Sequence, residues 1–279
     1  MADEQPQQTP GSAKQVAMRA LLATAGLYGV YAVLGLVGLH PDLRYLALVG
    51  AFYFLPQWML KHDEARQEKY QVGPGGVVPP WDWRGAKVAG LMALVVFPPF
   101  VLGFLWFYQQ VCSGDLSLLS PVIAVESLTP AEGGLEQYLG RLCRAHGGGF
   151  WPEAVRLPAD WLKYGGLGVV LAVAVEVFAI ALPEEVFHRG YLMSALEELW
   201  PPKLRIVGAK LGLGAVMASL LFAVGHLVGM AEVSRLATFF PALVFSWLWR
   251  RSNTLWAPAL FHAASNLLMA LLLASTFPR

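Results

Sequence analysis

Residues 165–190, "GGLGVVLAVAVEVFAIALPEEVFHRG", join a long apolar run to a short cluster of ionisable side chains. The apolar part approaches the length of about 20 residues that a helix needs to cross a bilayer. Ionisable groups at membrane depth are costly, so they usually face the interior of a helix bundle and take part in function. The adjacent Glu184 and Glu185 therefore predict a buried polar site inside a membrane protein.

The composition extends this prediction to the whole chain. Of the 279 residues, 56% are hydrophobic and only 14% are charged, whereas a typical soluble domain has about 25% charged residues. The net charge of +1 gives no overall field that would attract nucleic acid or an acidic partner. The sequence also lacks a phosphate-binding loop and a CxxC pair. Membrane lipid is therefore an expected partner, and nucleic acid is not.

Seven apolar segments have a length that suits membrane-spanning helices, so the predicted fold is an all-α polytopic transmembrane bundle. The segments are 16–39, 44–60, 88–111, 161–199, 207–230, 234–250 and 254–275. Segment 161–199 fits either one broken helix or two segments, which gives seven to eight spans. The predicted organisation is a disordered polar tail (1–15), N-terminal membrane helices (16–111), an extramembrane loop (112–160) and a catalytic membrane core (161–275).

Basic residues orient the predicted spans, because cytoplasmic loops carry an excess of Lys and Arg. A cytoplasmic N-terminus places Lys14, Arg19 and the basic loop 61–87 on the inner side. The 112–160 loop then lies outside, where Cys112 and Cys143 could pair in an oxidising compartment. The Ala-, Leu- and Gly-rich usage favours a bacterial source. The predicted location is therefore a bacterial inner membrane.

Three polar clusters fall at depths in the predicted bundle that helix tilt can bring to one level. Their members are Glu184, Glu185 and Arg189; then Phe222 and His226; then His262 and Asn266. At about 1.5 Å per helical residue, Glu184 and His226 each lie roughly 24 Å from the inner edge. By the same measure His262 lies about 16 Å and Asn266 about 22 Å from that edge. The clusters are therefore expected to meet in the outer half of the membrane.

These side chains suit the hydrolysis of an amide bond. A carboxylate beside a histidine can hold and deprotonate a water molecule. A second histidine with an asparagine can donate hydrogen bonds to the developing oxyanion. The combination predicts a hydrolase that forms no covalent intermediate with its substrate.

The motifs EExxxR (Glu184, Glu185, Arg189), FxxxH (Phe222, His226) and HxxxN (His262, Asn266) occur in this order on successive apolar segments. This arrangement resembles the CAAX-protease and bacteriocin-processing (CPBP, or Abi) family of intramembrane endopeptidases, over about residues 160–275. The resemblance implies that Glu184 is the general base and that His226 helps to hold the water. It implies that His262 and Asn266 form the oxyanion site, that Glu185 and Arg189 support it, and that no cofactor is needed.

The resemblance implies a glutamate-dependent endopeptidase that cuts near the membrane-associated C-terminal tail of a protein, in CAAX-type or C-terminal sorting reactions. The partner that it implies is therefore a membrane-anchored or lipidated protein tail. A site in the outer half of the membrane favours an exported substrate.

One alternative is a zinc hydrolase with Glu184, His226 and His262 as ligands, because catalytic zinc keeps an open position for water. Others are a non-catalytic scaffold or immunity protein, and a transporter, which the lack of paired repeats disfavours. His188 and Glu176 are expected to be structural.

Overall fold

The computed structural model describes residues 11–73, 79–115, 117, 120, 139–141, 143–144, 152, 154–230 and 233–277. These residues are mostly helical, as predicted. Five helices are long and apolar enough to cross a membrane: α1 (Ala13–Leu36), α4 (Trp83–Cys112), α6 (Gly166–Leu199), α7 (Leu213–Met230) and α9 (Trp256–Thr276). The chain is therefore an integral membrane protein with a polytopic helical fold, and the count of seven to eight spans stays a prediction.

The other helices of the described residues are shorter or more polar. They are α2 (Pro41–Met59), α3 (Glu64–Tyr70), α5 (Ala159–Leu162) and α8 (Phe239–Ser252). Helix α8 occupies the predicted span 234–250 but has only 14 residues, about 21 Å, because a 3₁₀ segment (Val233–Thr238) precedes it. Most of the predicted 112–160 loop and part of the 73–80 connector lie outside the described residues.

The chain divides into two compact units. The first contains Met1–Ala89 and Val177–His262, and the second contains Gly90–Glu176 and Ala263–Arg279. In the first unit, α1, α2, α7 and α8 pack around the part of α6 that carries the EExxxR motif. Arg66 and Lys69 of α3 both pair with Glu198 near the end of α6. The candidate site thus lies beside a stretch of α6, Val186–Met193, in which every residue is buried.

Helix α1 begins before the predicted span. Ser12 Oγ accepts a hydrogen bond from the backbone N–H of Gln15, and the Gln15 side chain accepts one from the backbone N–H of Ser12. This capping box satisfies two N–H groups that have no partner within the helix. Residues 13–15 of the predicted polar tail are therefore helical, and residues 1–10 lie outside the described residues.

Helix α6 is one continuous helical run from Gly166 to Leu199. It contains two π-helical stretches, Val175–Ala181 and Val186–Met193, on either side of an α-helical turn, Leu182–Glu185. π-Helical bulges are rare and occur frequently at functional sites. Glu184 and Glu185 therefore stand at the junction of two helical geometries.

A β-hairpin replaces the first residues of the predicted span 207–230. Strand β1 (Leu204–Ile206) pairs antiparallel with β2 (Ala209–Leu211). Val207 and Gly208 join the strands with φ of 42° and 85°, as a two-residue hairpin turn requires. The prediction was wrong here because the turn lies inside an apolar run, and α7 begins only at Leu213.

Cys112 and Cys143 form a disulfide in the second unit, as the outer placement of their loop had indicated. Their Cα atoms lie 5.2 Å apart, and the bridge joins residues 31 positions apart. Cys112 packs with Phe104 at one end of α4 and with Phe277 just after α9. The bridge therefore stabilises the end of a candidate membrane span.

Replacing both cysteines with serine is expected to lower the free energy of unfolding by about 2–4 kcal/mol. Before reduction, the denatured wild type should take up no maleimide, and after reduction it should take up two, as read by intact mass. The Cys112→Ser variant is the matched control, since it should take up one maleimide without reduction. Labelling of both cysteines in the unreduced wild type would contradict the pairing.

Candidate active site

The first unit brings together most of the residues singled out in the sequence. Helix α6 supplies Glu184, Glu185 and Arg189, α7 supplies Phe222 and His226, and α9 supplies His262. Asn266 follows His262 in α9 but belongs to the second unit. Each unit therefore holds a different part of the predicted constellation.

A buried ion pair joins Glu185 and Arg189, as expected from their i,i+4 spacing. Arg189 Nε lies 3.0 Å from Glu185 Oε2, and the two side chains are 1% and 0% exposed. Arg189 also donates to Glu185 Oε1 at 3.1 Å and to the carbonyl oxygen of Ala242 in α8 at 3.0 Å. Removing one member of a buried pair is strongly destabilising, so these residues support the structure around Glu184.

Two aromatic rings enclose the Arg189 guanidinium. Its carbon lies 4.6 Å from the ring centroid of Phe222 and 5.0 Å from that of Phe245. Such cation–π contacts are stronger when desolvated. The Phe222 of the FxxxH motif thus contacts the buried cation in addition to packing.

His262 contacts both glutamates. Its Nδ1 lies 2.9 Å from Glu185 Oε1, and its Nε2 lies 3.9 Å from Glu184 Oε2. An ionised carboxylate only accepts hydrogen bonds, so Nδ1 carries a hydrogen. The remaining nitrogen, Nε2, faces Glu184 at a distance too long for a direct hydrogen bond. The structure therefore places the imidazole of His262 next to the carboxylate of Glu184 without a direct hydrogen bond between them.

Glu184 is largely enclosed, with a side chain that is 13% exposed. Its Oε2 is buried and has no hydrogen-bond partner among the described residues. Leaving a buried acceptor unsatisfied costs about 1–3 kcal/mol. A carboxylate oxygen in this state is suited to bind and deprotonate a water molecule.

His226 has a defined orientation at the next turn of α7. Its Nδ1 lies 3.0 Å from the carbonyl oxygen of Phe222, and its ring packs on the Phe222 ring at 4.4 Å. Because a carbonyl only accepts, Nδ1 donates, and Nε2 of the neutral ring is an acceptor. In this orientation, Nε2 of His226 can accept a hydrogen bond from a water molecule.

Asn266 is held by a residue that the sequence indicated only as structural. Its Nδ2 donates to Glu176 Oε2 at 3.0 Å, within the second unit. This bond fixes which end of the amide is the donor and uses one of its two N–H groups. The other N–H remains for a further acceptor.

His188 and Tyr28 make hydrogen bonds next to Glu184 that the sequence did not indicate. His188 bonds the backbone of Glu184 and the hydroxyl of Tyr28. The i,i+4 spacing of Glu184 and His188 could have indicated their contact, but nothing in the sequence pointed to Tyr28 in α1.

Among the described residues, no group of three or more His, Cys, Asp and Glu side chains converges as a metal site.

The comparison with protein families matches the part of the chain that carries the motifs. Residues 166–268 match the family described as type II CAAX prenyl endopeptidase Rce1-like. This range contains every motif residue from Glu184 to Asn266, so the segment that carries the motifs is similar to that family. The resemblance to the CAAX-protease family is thereby confirmed. Neither the curated proteins nor the solved structures gave a match.

Proposed function

We propose that the chain is a glutamate-dependent intramembrane endopeptidase that cuts near the membrane-associated C-terminal tail of a protein substrate. The observation that carries the proposal is Glu184, whose buried Oε2 has no hydrogen-bond partner in the part of the chain that the structure describes and lies 3.9 Å from His262 Nε2. The family match supports the endopeptidase activity.

In this proposal Glu184 takes a proton from a water molecule while the water oxygen attacks the scissile carbonyl carbon. His226 Nε2 accepts the water's other hydrogen bond and orients the attack. The proton then passes from Glu184 to the leaving amine nitrogen, and the C–N bond breaks. Base catalysis of this kind contributes about 10²- to 10⁴-fold to a rate.

His262 and Asn266 are the proposed donors to the oxyanion. Because His262 Nδ1 donates to Glu185, donation from Nε2 requires that both ring nitrogens carry a hydrogen. Asn266 contributes the N–H that Glu176 does not use. Each donor of this kind contributes about 10²- to 10³-fold to kcat.

The proposed substrates are proteins with a prenylated CAAX tail or a C-terminal membrane tail, in a bacterial inner membrane with the enzyme's N-terminus in the cytoplasm. The predicted position of the site in the outer half of the bilayer favours exported proteins. To test this, cells would co-express the chain with proteins that carry either tail, and intact mass would report a shortened product. The product should require the wild type and be absent with the Glu184→Gln variant. No shortened product with either tail would contradict the proposal.

The zinc hydrolase is the second candidate, with Glu184, His226 and His262 as ligands. Under the glutamate mechanism, EDTA should leave the cleavage rate of the purified protein in vesicles unchanged. The matched control is the same protein treated with EDTA already saturated with zinc. If EDTA abolishes cleavage and added zinc restores it, the zinc mechanism replaces the proposed one. Binding of a tailed protein without cleavage would instead favour the scaffold.

A further inference from the structure

Tyr28 of α1 lies outside the matched segment 166–268 and outside all three motifs. Its hydroxyl oxygen nevertheless lies 2.7 Å from Nε2 of His188. Both side chains are buried, with 9% of Tyr28 and 2% of His188 exposed. A buried hydrogen bond of this kind is strengthened by its low-dielectric surroundings.

The partners fix the direction of the hydrogen bonds. His188 Nδ1 lies 2.8 Å from the carbonyl oxygen of Glu184. A carbonyl only accepts, so Nδ1 carries the hydrogen and Nε2 of the neutral ring accepts from Tyr28. The chain of bonds therefore runs from the Tyr28 hydroxyl through the His188 ring to the backbone of Glu184.

The backbone carbonyl of Glu184 lies where the helical hydrogen-bond pattern changes, so a side-chain donor there adds a restraint. Glu184 lies in the single α-helical turn between two π-helical stretches, and Pro183 beside it has no N–H. The hydrogen-bond ladder changes register at such a junction. A side-chain donor on the Glu184 carbonyl therefore restrains the backbone that carries the proposed base.

The packing around this pair connects it to two of the motif-bearing helices, α6 and α7. The His188 ring contacts the edges of Phe52, Phe187 and Phe222, with centroids 5.2, 5.1 and 5.0 Å away. Gly225, which precedes His226, faces the Tyr28 phenol so closely that a Cβ there would clash with it. The phenol is thus held between α6 and α7.

We propose that Tyr28 and His188 are positioning residues for Glu184, so that α1 belongs to the catalytic machinery. This inference rests on the proposed endopeptidase function. Tyr28 acts through the tautomer and orientation of His188, and His188 acts through the backbone of Glu184.

The test measures kcat and KM of the full chain in vesicles, with a prenylated CAAX peptide and with a peptide that carries an apolar C-terminal tail. Tyr28→Phe removes only the hydroxyl and should lower kcat about 10- to 100-fold, as is usual for outer-shell partners, with KM unchanged. Tyr53→Phe is the matched control, because Tyr53 is also buried and donates to a backbone carbonyl of α6, that of Phe178, at 2.8 Å. Its kcat should equal that of the wild type.

A pair of His188 variants separates positioning from packing. His188→Asn keeps a donor for the Glu184 carbonyl and should retain more kcat than His188→Phe at equal amounts of folded protein. Equal kcat values for Tyr28→Phe and Tyr53→Phe would overturn the inference while leaving the proposed function intact. Equal losses for the two His188 variants would overturn it as well. Failure of the wild type to cleave either peptide would overturn the proposed function and this inference with it.

Discussion

Glu184→Gln is expected to lower kcat about 10³- to 10⁴-fold, the upper range for loss of a general base. The amide has nearly the size and hydrogen-bonding reach of the carboxylate but cannot take a proton from water. Because the Glu184 side chain is enclosed and its Oε2 bonds no protein group in the described residues, the change should disturb little else. KM should therefore stay close to the wild-type value.

The measurement is the initial rate with purified protein in vesicles, normalised to folded protein. Glu68→Gln is the matched control, since it makes the same chemical change on an exposed side chain of α3 and should leave kcat unchanged. If Glu184→Gln retained most of the wild-type kcat, Glu184 would not be the base. If its kcat fell together with its melting temperature, the loss would be structural.

Arg189→Met is expected to cost about 3–5 kcal/mol of unfolding free energy, the usual result of removing one partner of a buried ion pair. The variant leaves the charge of Glu185 at 0% exposure without its main partner. It also removes the bond to the Ala242 carbonyl and the contacts with two aromatic rings. The expected result is a large fall in the melting temperature in detergent and in the amount of protein in the membrane.

A second substitution tests the cause of that instability. Glu185→Gln added to Arg189→Met removes the unpaired charge and should recover part of the lost stability. Arg205→Met, on an exposed residue of the hairpin, is the matched control and should melt with the wild type. If Arg189→Met melted at the wild-type temperature, the buried pair would not stabilise the fold.

The parts of the site that follow from helical spacing could be predicted from the sequence. Glu185 and Arg189 are four residues apart on one helix, so their pairing is a local property of that helix. Similar reasoning on depth brought Glu184 and His262 to one level, and the structure places them in contact distance. The sequence offered the pairing of the two cysteines only as a hypothesis, and the structure contains the disulfide.

Other features depend on tertiary packing that no local pattern records. Tyr28 and His188 are 160 residues apart, and Tyr28 lies in an apolar helix where a tyrosine has many possible roles. The π-helical stretches of α6 contain the kinds of apolar residue that an α-helix also contains, so the sequence pattern does not distinguish the two helix types. Val207 was included in a predicted span because it lies within an apolar run, and a β-branched residue seldom adopts the positive φ that it has here.

The shared contacts of Glu185 have a consequence for the charge of the site during the reaction. Arg189 balances the charge of Glu185, so the net charge of the group formed by Glu184, Glu185 and Arg189 is that of the Glu184 carboxylate. When Glu184 takes the proton of water, this group becomes neutral at the moment the substrate oxygen gains one negative charge. The enclosed site and the tetrahedral intermediate together therefore keep one constant total charge, which avoids the large cost of an additional charge in a medium of low dielectric constant.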